Sequence, residues 1–441
     1  MKVLLINPPS RFWLFPPLGL AYIAAYIKNY YTTSILDMII EPEKLQETLC
    51  SFSPDIIGIT CTSQTFQDAL KVAKEVKEHD KTIKVVMGGS HPSAIPEKTL
   101  KHPEIDFVIK GEGEKAFLEI CQGKHKEGIV EGGLIIDINN LPWPSRELLP
   151  MSKYDTPGTI LTSRGCPHRC CYCAHHVSGY TWRGRKPNDV VNEISHIVDT
   201  YGIKDIQVID DNFSMDMNRA KEIMKLIIER KMNISLRFYN GLRADRIDEE
   251  LLTLMKEAGT KLISFGLEST DKTILKNIEK RVTLHEVENA INMVHKKGIQ
   301  VRVSLMIGNS GETYKMAMRT IKWAKENPNI DATEFSLCTA YPNTPLWKWV
   351  MNNGKILVDS EHYPTYFLDK EVTPSFDTPE FSAEERVKAL RIAQKQMARK
   401  FAFKNKSLRN FKFRNLPKYI STVITITFNI TPKRKFKADK N

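Results

Sequence analysis

Two stretches of the chain alternate short apolar runs with helical segments, in the order typical of parallel α/β proteins. In the first stretch, residues 1–125, five apolar runs predict buried parallel strands: KVLLIN (2–7), SILDMII (34–40), DIIGIT (55–60), KVVMGG (84–89) and DFVIKG (106–111). The segments between them have helical spacing and predict crossover helices. Five strands with crossover helices predict an open parallel sheet of flavodoxin or Rossmann type.

The second stretch, residues 155–345, repeats the strand–helix rhythm. Its apolar runs are GTILTS (158–163), DIQVIDDNF (205–213), ISLRFYNG (234–241), KLISFGLES (261–269), IQVRVSLMIG (299–308) and ATEFSLCTAYP (332–342). Six such units predict a partial (β/α)6 barrel, whose chemistry belongs at the carboxyl ends of the strands. Residues 126–154 are rich in proline and glycine and predict a linker. Residues 346–441 predict a mainly helical C-terminal region that ends in a basic tail.

The net charge of +12 is concentrated at one end of the chain. Residues 395–441 hold 14 Lys or Arg and one acidic residue, which leaves 50 basic and 51 acidic residues elsewhere. Such a tail suits an anionic membrane surface or nucleic acid, and a solvated extension is the alternative. With no signal peptide or membrane-length apolar run in the sequence, we expect a cytoplasmic protein. Peripheral membrane contact through the tail stays open, and no nucleic-acid partner is expected.

Four of the eight cysteines lie in one segment, TSRGCPHRCCYCAHH (162–176). Clustered thiols without a secretion signal indicate metal or redox chemistry rather than disulfides. Structural zinc usually takes two separated CxxC-like pairs, and this chain has no second pair. The spacing C-x3-C-x2-C of Cys166, Cys170 and Cys173 suits three thiolate ligands that leave one iron without a protein ligand. Cys171 is then left over.

This cysteine spacing, after the first strand of a six-unit barrel, resembles the radical S-adenosylmethionine (SAM) superfamily. The resemblance implies a 4Fe–4S cluster held by Cys166, Cys170 and Cys173, with SAM bound through its amino and carboxylate groups to the open iron. It also implies SAM contacts near later strand ends, in DDNF (210–213), NGLRAD (240–245), GLES (266–269), MIGNSGET (306–313) and AYPNTPL (340–346). The implied SAM-binding residues are Tyr172, Asp211, Arg243, Glu268, Ser269, Gly308 and Tyr341. For Arg243, a structural salt bridge is the alternative.

The first stretch resembles the cobalamin-binding domain of cobalamin-dependent radical SAM enzymes, through KVLLINPPS, DIIGITCTS, VVMGGSHPSA and GEGE. The implied cobalamin contacts are Thr60, Thr62, Gly88, Gly89, Ser90, Gly111 and Glu112, where glycine lets the backbone approach the nucleotide tail. Domains that ligate cobalt with histidine carry DxHxxG. This chain has DMIIEP (37–42), with Ile39 in the histidine position, so the resemblance implies His-off cobalamin.

The family resemblance implies a C-methyltransferase that acts on an unactivated carbon of a small or lipid-like metabolite. It would use a 5′-deoxyadenosyl radical and methylcobalamin, with an electron donor such as flavodoxin or ferredoxin. Three alternatives stay open. They are an oxidative cyclase resembling the anaerobic magnesium-protoporphyrin ester cyclase, a tRNA methylthiotransferase with a second cluster on Cys50, Cys61 and Cys121, and a cobalamin- or redox-sensing protein without turnover.

Overall fold

The computed structural model describes residues 1–10, 15–363 and 372–404, with side chains up to Phe401. Its N-terminal part is a six-stranded parallel sheet with strand order β2-β1-β3-β4-β5-β6. The strands are β1 (Lys2–Asn7), β2 (Thr32–Asp37), β3 (Ile56–Thr60), β4 (Lys84–Gly88), β5 (Phe107–Gly111) and β6 (Gly128–Gly133). The helices are α1 (Leu18–Ile27), α2 (Leu45–Phe52), α3 (Phe66–His79), α4 (Ser90–Ala94), α5 (Pro96–Thr99) and α6 (Glu114–Cys121).

The second part is another six-stranded parallel sheet, with strand order β14-β13-β12-β11-β10-β7. In the described residues β14 and β7 do not pair, so the barrel is partial. Its strands are β7 (Thr159–Ile160), β10 (Asp205–Val208), β11 (Ser235–Leu242), β12 (Thr260–Glu268), β13 (Gln300–Ile307) and β14 (Ala332–Leu337). Its helices are α7 (Pro187–Tyr201), α8 (Met217–Glu229), α9 (Glu249–Glu257), α10 (Lys272–Asn277), α11 (Leu284–Lys296) and α12 (Tyr314–Glu326).

Four short strands and two more α-helices complete the strands and α-helices of the described residues, which also contain six short 3-10 helices. The antiparallel pairs are β8 (Ser163–Arg164) with β9 (Arg183–Gly184), and β15 (Lys355–Ile356) with β16 (Phe376–Asp377). The C-terminal region contributes α13 (Pro345–Asn353) and α14 (Ala383–Lys404), of which α14 packs against α12 and β14. None of the helices in residues 1–10, 15–363 and 372–404 has the length and apolarity to cross a bilayer.

Continuous apolar runs form these strands because both faces of each sheet are covered. Along β1, Val3 and Leu5 pack into a core shared with α1 and α6, whereas Leu4 and Ile6 pack into a core shared with α2 and α3. A strand buried on both faces has no polar alternation, which is why the sequence pattern predicts parallel strands here. The carboxyl ends of these strands are thereby left to line a site.

The structure differs from the sequence-based expectation at two places near the first barrel strand. Residues 128–133 of the predicted linker form β6, which pairs in parallel with β5 and extends the first sheet. The predicted strand 158–163 breaks after Ile160, because the Thr162 amide donates to the Asp210 carboxylate at 2.6 Å. The basic tail beyond residue 404 and the 420–430 segment lie outside the described residues.

Candidate functional site

The cysteine loop lies between β8 and β9, at the carboxyl end of the barrel sheet. Cys166, Cys170 and Cys173 are half-buried, whereas Cys171 is buried in the core of the barrel. The Cys171 amide donates to the carbonyl of Ile278 at 3.0 Å, and its own carbonyl accepts from the amide of Leu346 at 2.9 Å. The backbone therefore turns Cys171 away from the other three thiols.

The three half-buried thiols are close enough to affect one another electrostatically. Burial and, after it, the charges of Cys170, Asp211 and Cys166 together raise the pKa of the Cys173 thiol to about 12. Burial also raises the pKa of Cys166, with a further contribution from Cys170. Thiolates that crowd in this way are costly unless a cation neutralises them, as metal binding does.

The donor set of this loop suits a 4Fe–4S cluster. The loop offers three half-buried thiols, those of Cys166, Cys170 and Cys173. A 4Fe–4S cluster is held by cysteine thiolates, each bound to a separate iron. Among the described residues, no group of three or more His, Cys, Asp or Glu side chains has the geometry of a site for one metal ion. The three thiols correspond to the three cluster ligands that the sequence predicts.

Side chains at the end of β10 fasten the cysteine loop. The Asp211 carboxylate accepts from the Gly165 amide and the Ser178 hydroxyl, both at 2.9 Å. The Asn212 side-chain amide lies 4.0 Å from the Cys166 sulfur. The structure therefore uses the Asp211 side chain, a sequence-predicted SAM residue, to hold the loop beside the site.

A partly buried triad of polar groups lies at the end of β12. The Tyr172 hydroxyl donates to Glu268 Oε1 at 3.1 Å, and Lys280 Nζ lies 2.9 Å from that oxygen and 3.0 Å from the hydroxyl. Glu268 adopts a φ of +70°, which is uncommon for a residue with a side chain and typical of functional sites. Tyr172 and Glu268 thus meet as predicted residues of one site. Lys280 is an addition, since it follows α10 in a segment with no motif.

The remaining predicted SAM residues are distributed around the same edge. Ser269 is fully buried, and its hydroxyl accepts from the Asp271 amide at 3.2 Å. Gly308 has a φ of +88°, and its amide donates to the buried carboxylate of Glu312 at 2.7 Å. Tyr341 packs in a tilted arrangement on Tyr363, with 5.3 Å between ring centroids. The backbone of these three residues is therefore held in place at strand ends, where it can contact a ligand.

Arg243 serves the turn that follows α10. Its guanidinium pairs with Asp245 at 2.8 Å and donates to the carbonyls of Lys280 at 3.2 Å and Arg281 at 3.0 Å. These bonds match the alternative interpretation of Arg243, in which it forms a structural salt bridge. Burial and, after it, the guanidinium charge of Arg243 together lower the pKa of the nearby His168 ring to about 4. Arg243 is therefore close enough to the cysteine loop to affect its charges.

A cavity of about 290 Å³ separates the carboxyl ends of the two sheets. The first sheet lines it with Gly58, Thr60, Gly88, Gly89, Gly111 and Glu112, and the barrel lines it with Leu161, Arg164, Ser178, Ile209 and Asp211. Its lining includes Leu5 of β1 and Thr60 of β3, the adjacent strands between which the strand order of the sheet reverses. Open α/β sheets bind their ligands at such a reversal. Of the predicted cobalamin residues, Thr62 and Ser90 lie outside this lining. Thr62 is exposed in the turn after β3, and Ser90 begins α4.

Two adjacent glycines shape the cavity for different reasons. A Cβ atom on Gly88 would find its nearest neighbour, Ile109, at 4.0 Å, so this position is open to the cavity. A Cβ atom on Gly89 would lie 2.4 Å from the Cys61 carbonyl oxygen, and Gly89 has a φ of +109°. Gly89 is therefore required by the turn itself, whereas Gly88 leaves space that a bound group can fill.

A buried ion cluster joins the cavity wall to the cysteine loop. Arg164, one residue before the loop glycine, pairs with Glu114 at 2.6 Å and Glu112 at 3.3 Å, and Arg183 pairs with Glu112 at 2.8 Å. Burial by itself lowers the pKa of the Arg164 guanidinium, but Glu114 and Glu112 more than offset this and raise it. The sequence predicted a cobalamin contact for Glu112. It gave no signal for the pairing of Arg164 with Glu114, which lie 50 positions apart in the sequence.

Comparison with known proteins places both domains. Residues 13–121 match the B12 binding domain, and residues 160–324 match the Radical SAM superfamily. The uncharacterized methyltransferase PH0819 of Pyrococcus horikoshii is 34% identical, over 89% of this chain and 91% of that protein. The cytidylyl-2-hydroxyethylphosphonate methyltransferase of Streptomyces wedmorensis is 27% identical, over 76% of this chain and 79% of that protein. The anaerobic magnesium-protoporphyrin IX monomethyl ester cyclase of Rubrivivax gelatinosus is 25% identical, over 82% and 72%.

Two solved structures share the fold. OxsB with aqua-cobalamin and SAM bound has a TM-score of 0.71 at 16% identity, covering 97% of this chain and 71% of OxsB. TsrM from Kitasatospora setae, with cobalamin and a [4Fe-4S] cluster bound, has a TM-score of 0.66 at 20% identity, covering 78% and 76%. The chain therefore belongs to the cobalamin-dependent radical SAM enzymes. The predicted family, the two-sheet fold and the three cofactors (cobalamin, 4Fe–4S cluster and SAM) are confirmed at this level.

Proposed function

We propose that this enzyme transfers a methyl group to an unactivated carbon of a small or lipid-like molecule. The observation that carries the proposal is the cavity between the two sheets. Its walls contain five of the seven predicted cobalamin residues on one side and Ser178 and Asp211, which hold the cysteine loop, on the other. A methyl donor and a radical generator held at these two walls face the same space, as carbon methylation requires.

The residues present suit both groups. Gly88 and Thr60 offer an open backbone and a hydroxyl to cobalamin, and the three half-buried cysteines suit the cluster. The triad of Tyr172, Glu268 and Lys280 offers a carboxylate and an ammonium group to the ribose and carboxylate of SAM. When bound, the cluster with SAM supplies a radical that abstracts hydrogen, and cobalamin supplies the methyl group.

His-off binding of cobalamin is part of the proposal. None of the described residues that line the cavity is a histidine. Ile39 is engaged through its backbone, where its amide donates to Asp37 at 3.1 Å. The buried His91 ring stacks on Phe66 at 4.0 Å between centroids, and its Nδ1 lies 3.0 Å from the Ser63 hydroxyl. No imidazole in the described lining is thus offered to cobalt.

The relatives support methylation over the alternatives. Hopanoid C-2 methylase of Rhodopseudomonas palustris, 25% identical over 78% of this chain and 66% of its own length, carries a carbon methylase name, and the two relatives above carry methyltransferase names. The cyclase is the second candidate, because it matches 72% of its own length at 25% identity. A methylthiotransferase-type second cluster is disfavoured, since Cys50 is exposed and the buried Cys61 and Cys121 belong to different core clusters. An electron donor such as flavodoxin or ferredoxin, and peripheral membrane contact of the basic tail, belong to the proposal.

Metal content and SAM products test the proposal. Anaerobically reconstituted protein should contain about one cobalt and about four irons per chain. With titanium(III) citrate, SAM carrying a CD3 group and a metabolite or lipid extract, we expect S-adenosylhomocysteine, 5′-deoxyadenosine and a CD3-labelled product. Deoxyadenosine without S-adenosylhomocysteine or label would favour the cyclase. About eight irons would favour the methylthiotransferase, and the absence of both SAM products would favour a sensor.

A further inference from the structure

The cysteine loop touches a strained surface turn. The Cys170 sulfur lies 3.8 Å from the carbonyl oxygen of Glu279. Glu279 and Arg281 adopt φ values of +53° and +52°, in the left-handed region that side chains usually avoid. Strain of this kind persists only when the surroundings impose it, and it gathers at functional sites. Here the surrounding bonds come from Arg243, which holds the carbonyls of Lys280 and Arg281.

The turn forms one rim of an open groove of about 590 Å³. The floor of the groove is apolar and consists of Leu275, Val282 and Leu284. Basic side chains stand on the rim, at Lys272, Lys276 and Arg281. An apolar centre with a charged rim is the usual anatomy of a protein–protein contact.

The rim charges favour an acidic partner. Lys272 and Lys276 are exposed and form no ion pair within the described residues, and the Arg281 side chain is 66% exposed. Two carboxylates also line the groove. Glu279 lies 3.9 Å from Arg281, and Glu286 accepts from the Thr283 amide and hydroxyl as the helix cap of α11. The charges that remain available to a partner are thus mainly positive.

We infer that the groove formed by Lys272, Lys276, Arg281 and their apolar floor is the docking surface for a reduced, acidic flavodoxin. The inference rests on the proposed function, because it needs a reducible cluster on the cysteine loop. One electron passes from the flavin hydroquinone, which becomes the semiquinone, to the oxidised cluster, which is reduced by one electron. The Glu279 carbonyl beside Cys170 places a residue of the groove lining in contact with a predicted cluster ligand.

Charge reversal at the rim tests the docking surface. The variant Lys276→Glu/Arg281→Glu is compared with Lys71→Glu/Lys74→Glu on α3, whose lysine side chains are 71% and 65% exposed on the other domain. Both variants change the net charge equally. Cluster reduction by photoreduced flavodoxin is followed under anaerobic conditions by stopped-flow absorbance, at low and high ionic strength, and binding of oxidised flavodoxin is followed by calorimetry.

We expect the rim variant to slow reduction by about 10-fold at low salt and to weaken flavodoxin binding, with the difference shrinking as salt is added. The α3 variant should stay within about twofold of the unaltered enzyme. Equal rates for the rim variant, or equal slowing of both variants, would overturn the inference. So would loss of binding to phosphatidylserine vesicles with flavodoxin reduction intact, which would assign the groove to a membrane.

Reduction by dithionite separates this inference from the proposed function. Dithionite needs no docking surface, so it should reduce the cluster of the rim variant at the unaltered rate, which also shows that the variant is folded. If neither dithionite nor flavodoxin reduces a cluster in the unaltered protein, the proposed function fails. If dithionite works and the rim variant still accepts electrons from flavodoxin normally, only the docking surface is wrong.

Discussion

The two parallel sheets of this enzyme present their carboxyl ends to one cavity in opposite ways. The first sheet ends its strands on small residues, such as Gly88 and Gly111, so that the backbone itself lines the space. The barrel ends its strands on functional side chains, such as Asp211, which lines the cavity, and Glu268, which lies at the end of β12 outside this lining. Two sheets of the same parallel topology thus form different walls. The wall from the first sheet consists mainly of backbone at glycine positions, and the wall from the barrel consists of positioned side chains.

The difference follows from what each wall has to hold. A large, mostly uncharged group needs room and backbone hydrogen bonds, which glycine provides at a strand end. A 4Fe–4S cluster needs thiolates, and SAM needs charged side chains that pair with its amino and carboxylate groups. Both sets of side chains must be held in place by further bonds. Asp211 and Arg243 provide such bonds here, because both are engaged with the backbone of neighbouring segments. Adding atoms should therefore damage the first wall, and removing them should damage the second.

The largest effect is expected at the cysteine loop. Cys170→Ala should abolish cluster binding, because a cubane with two protein thiolates lacks a ligand it needs. Cys171→Ala is the matched control, since Cys171 is packed in the core and its backbone bonds remain. Iron content and the visible absorbance of reconstituted protein measure the outcome. Equal loss of iron in both variants would contradict the assignment of the three ligands.

The opposite change is expected to damage the first wall. Gly88→Leu should weaken cobalamin binding by 10-fold or more, about 1.4 kcal/mol, by filling the open space beside Ile109. Gly88→Ala should have a smaller effect, because its single Cβ atom meets only a contact at 4.0 Å. Iron content should be unchanged in both. Cobalamin retention after gel filtration measures the effect, and iron loss in either variant would show that the two walls are not independent.

A smaller effect is expected when the ammonium group of Lys280 is removed from the polar triad at the end of β12. Lys280→Met should weaken SAM binding to the reconstituted enzyme by about 10-fold, since it leaves the Glu268 carboxylate without its ammonium partner. Lys280→Arg should recover part of the affinity. Lys276→Met, four residues earlier and exposed, is the control. Unchanged SAM affinity in the Lys280→Met variant, measured by calorimetry, would remove Lys280 from the site.

The last prediction concerns the stability of the folded barrel and its dependence on pH, not the binding of a cofactor. Burial raises the pKa of Glu312 to about 7, although the amides of Asn309 and Gly308 lower it in part. The folded protein therefore binds a proton that the unfolded chain has released above its ordinary pKa. Stability should fall as pH rises from about 4.5 to 7, by up to about 3 kcal/mol.

The variant Glu312→Gln checks this dependence, because it is neutral at every pH and keeps an oxygen that can accept from the two amides. Urea denaturation between pH 5 and 8 should show a flatter profile for this variant than for the unaltered protein. Identical profiles would mean that another group dominates the titration.

Sequence spacing predicted much of the fold and part of the site. The cysteine spacing and the glycine-rich strand ends identified the family, which the relatives confirm, because such features depend on residues close together in sequence. Strand β6 was missed, since GIVEGG at its edge position lacks a buried apolar run. The assignments of SAM and cobalamin contacts to individual residues stay predictions, and so does His-off binding.

The sequence by itself determined the cofactor class and the positions of most strands along the chain, because the spacing of thiols and the apolar period are local properties of the chain. Only the tertiary structure decided which charges meet. Lys280 joins Tyr172, 108 positions earlier, and Arg164 joins Glu114, 50 positions earlier. Pairings of this kind depend on how separate elements pack, and a buried charge must find its partner wherever packing places it. That is why the walls of the cavity became visible only in the folded enzyme.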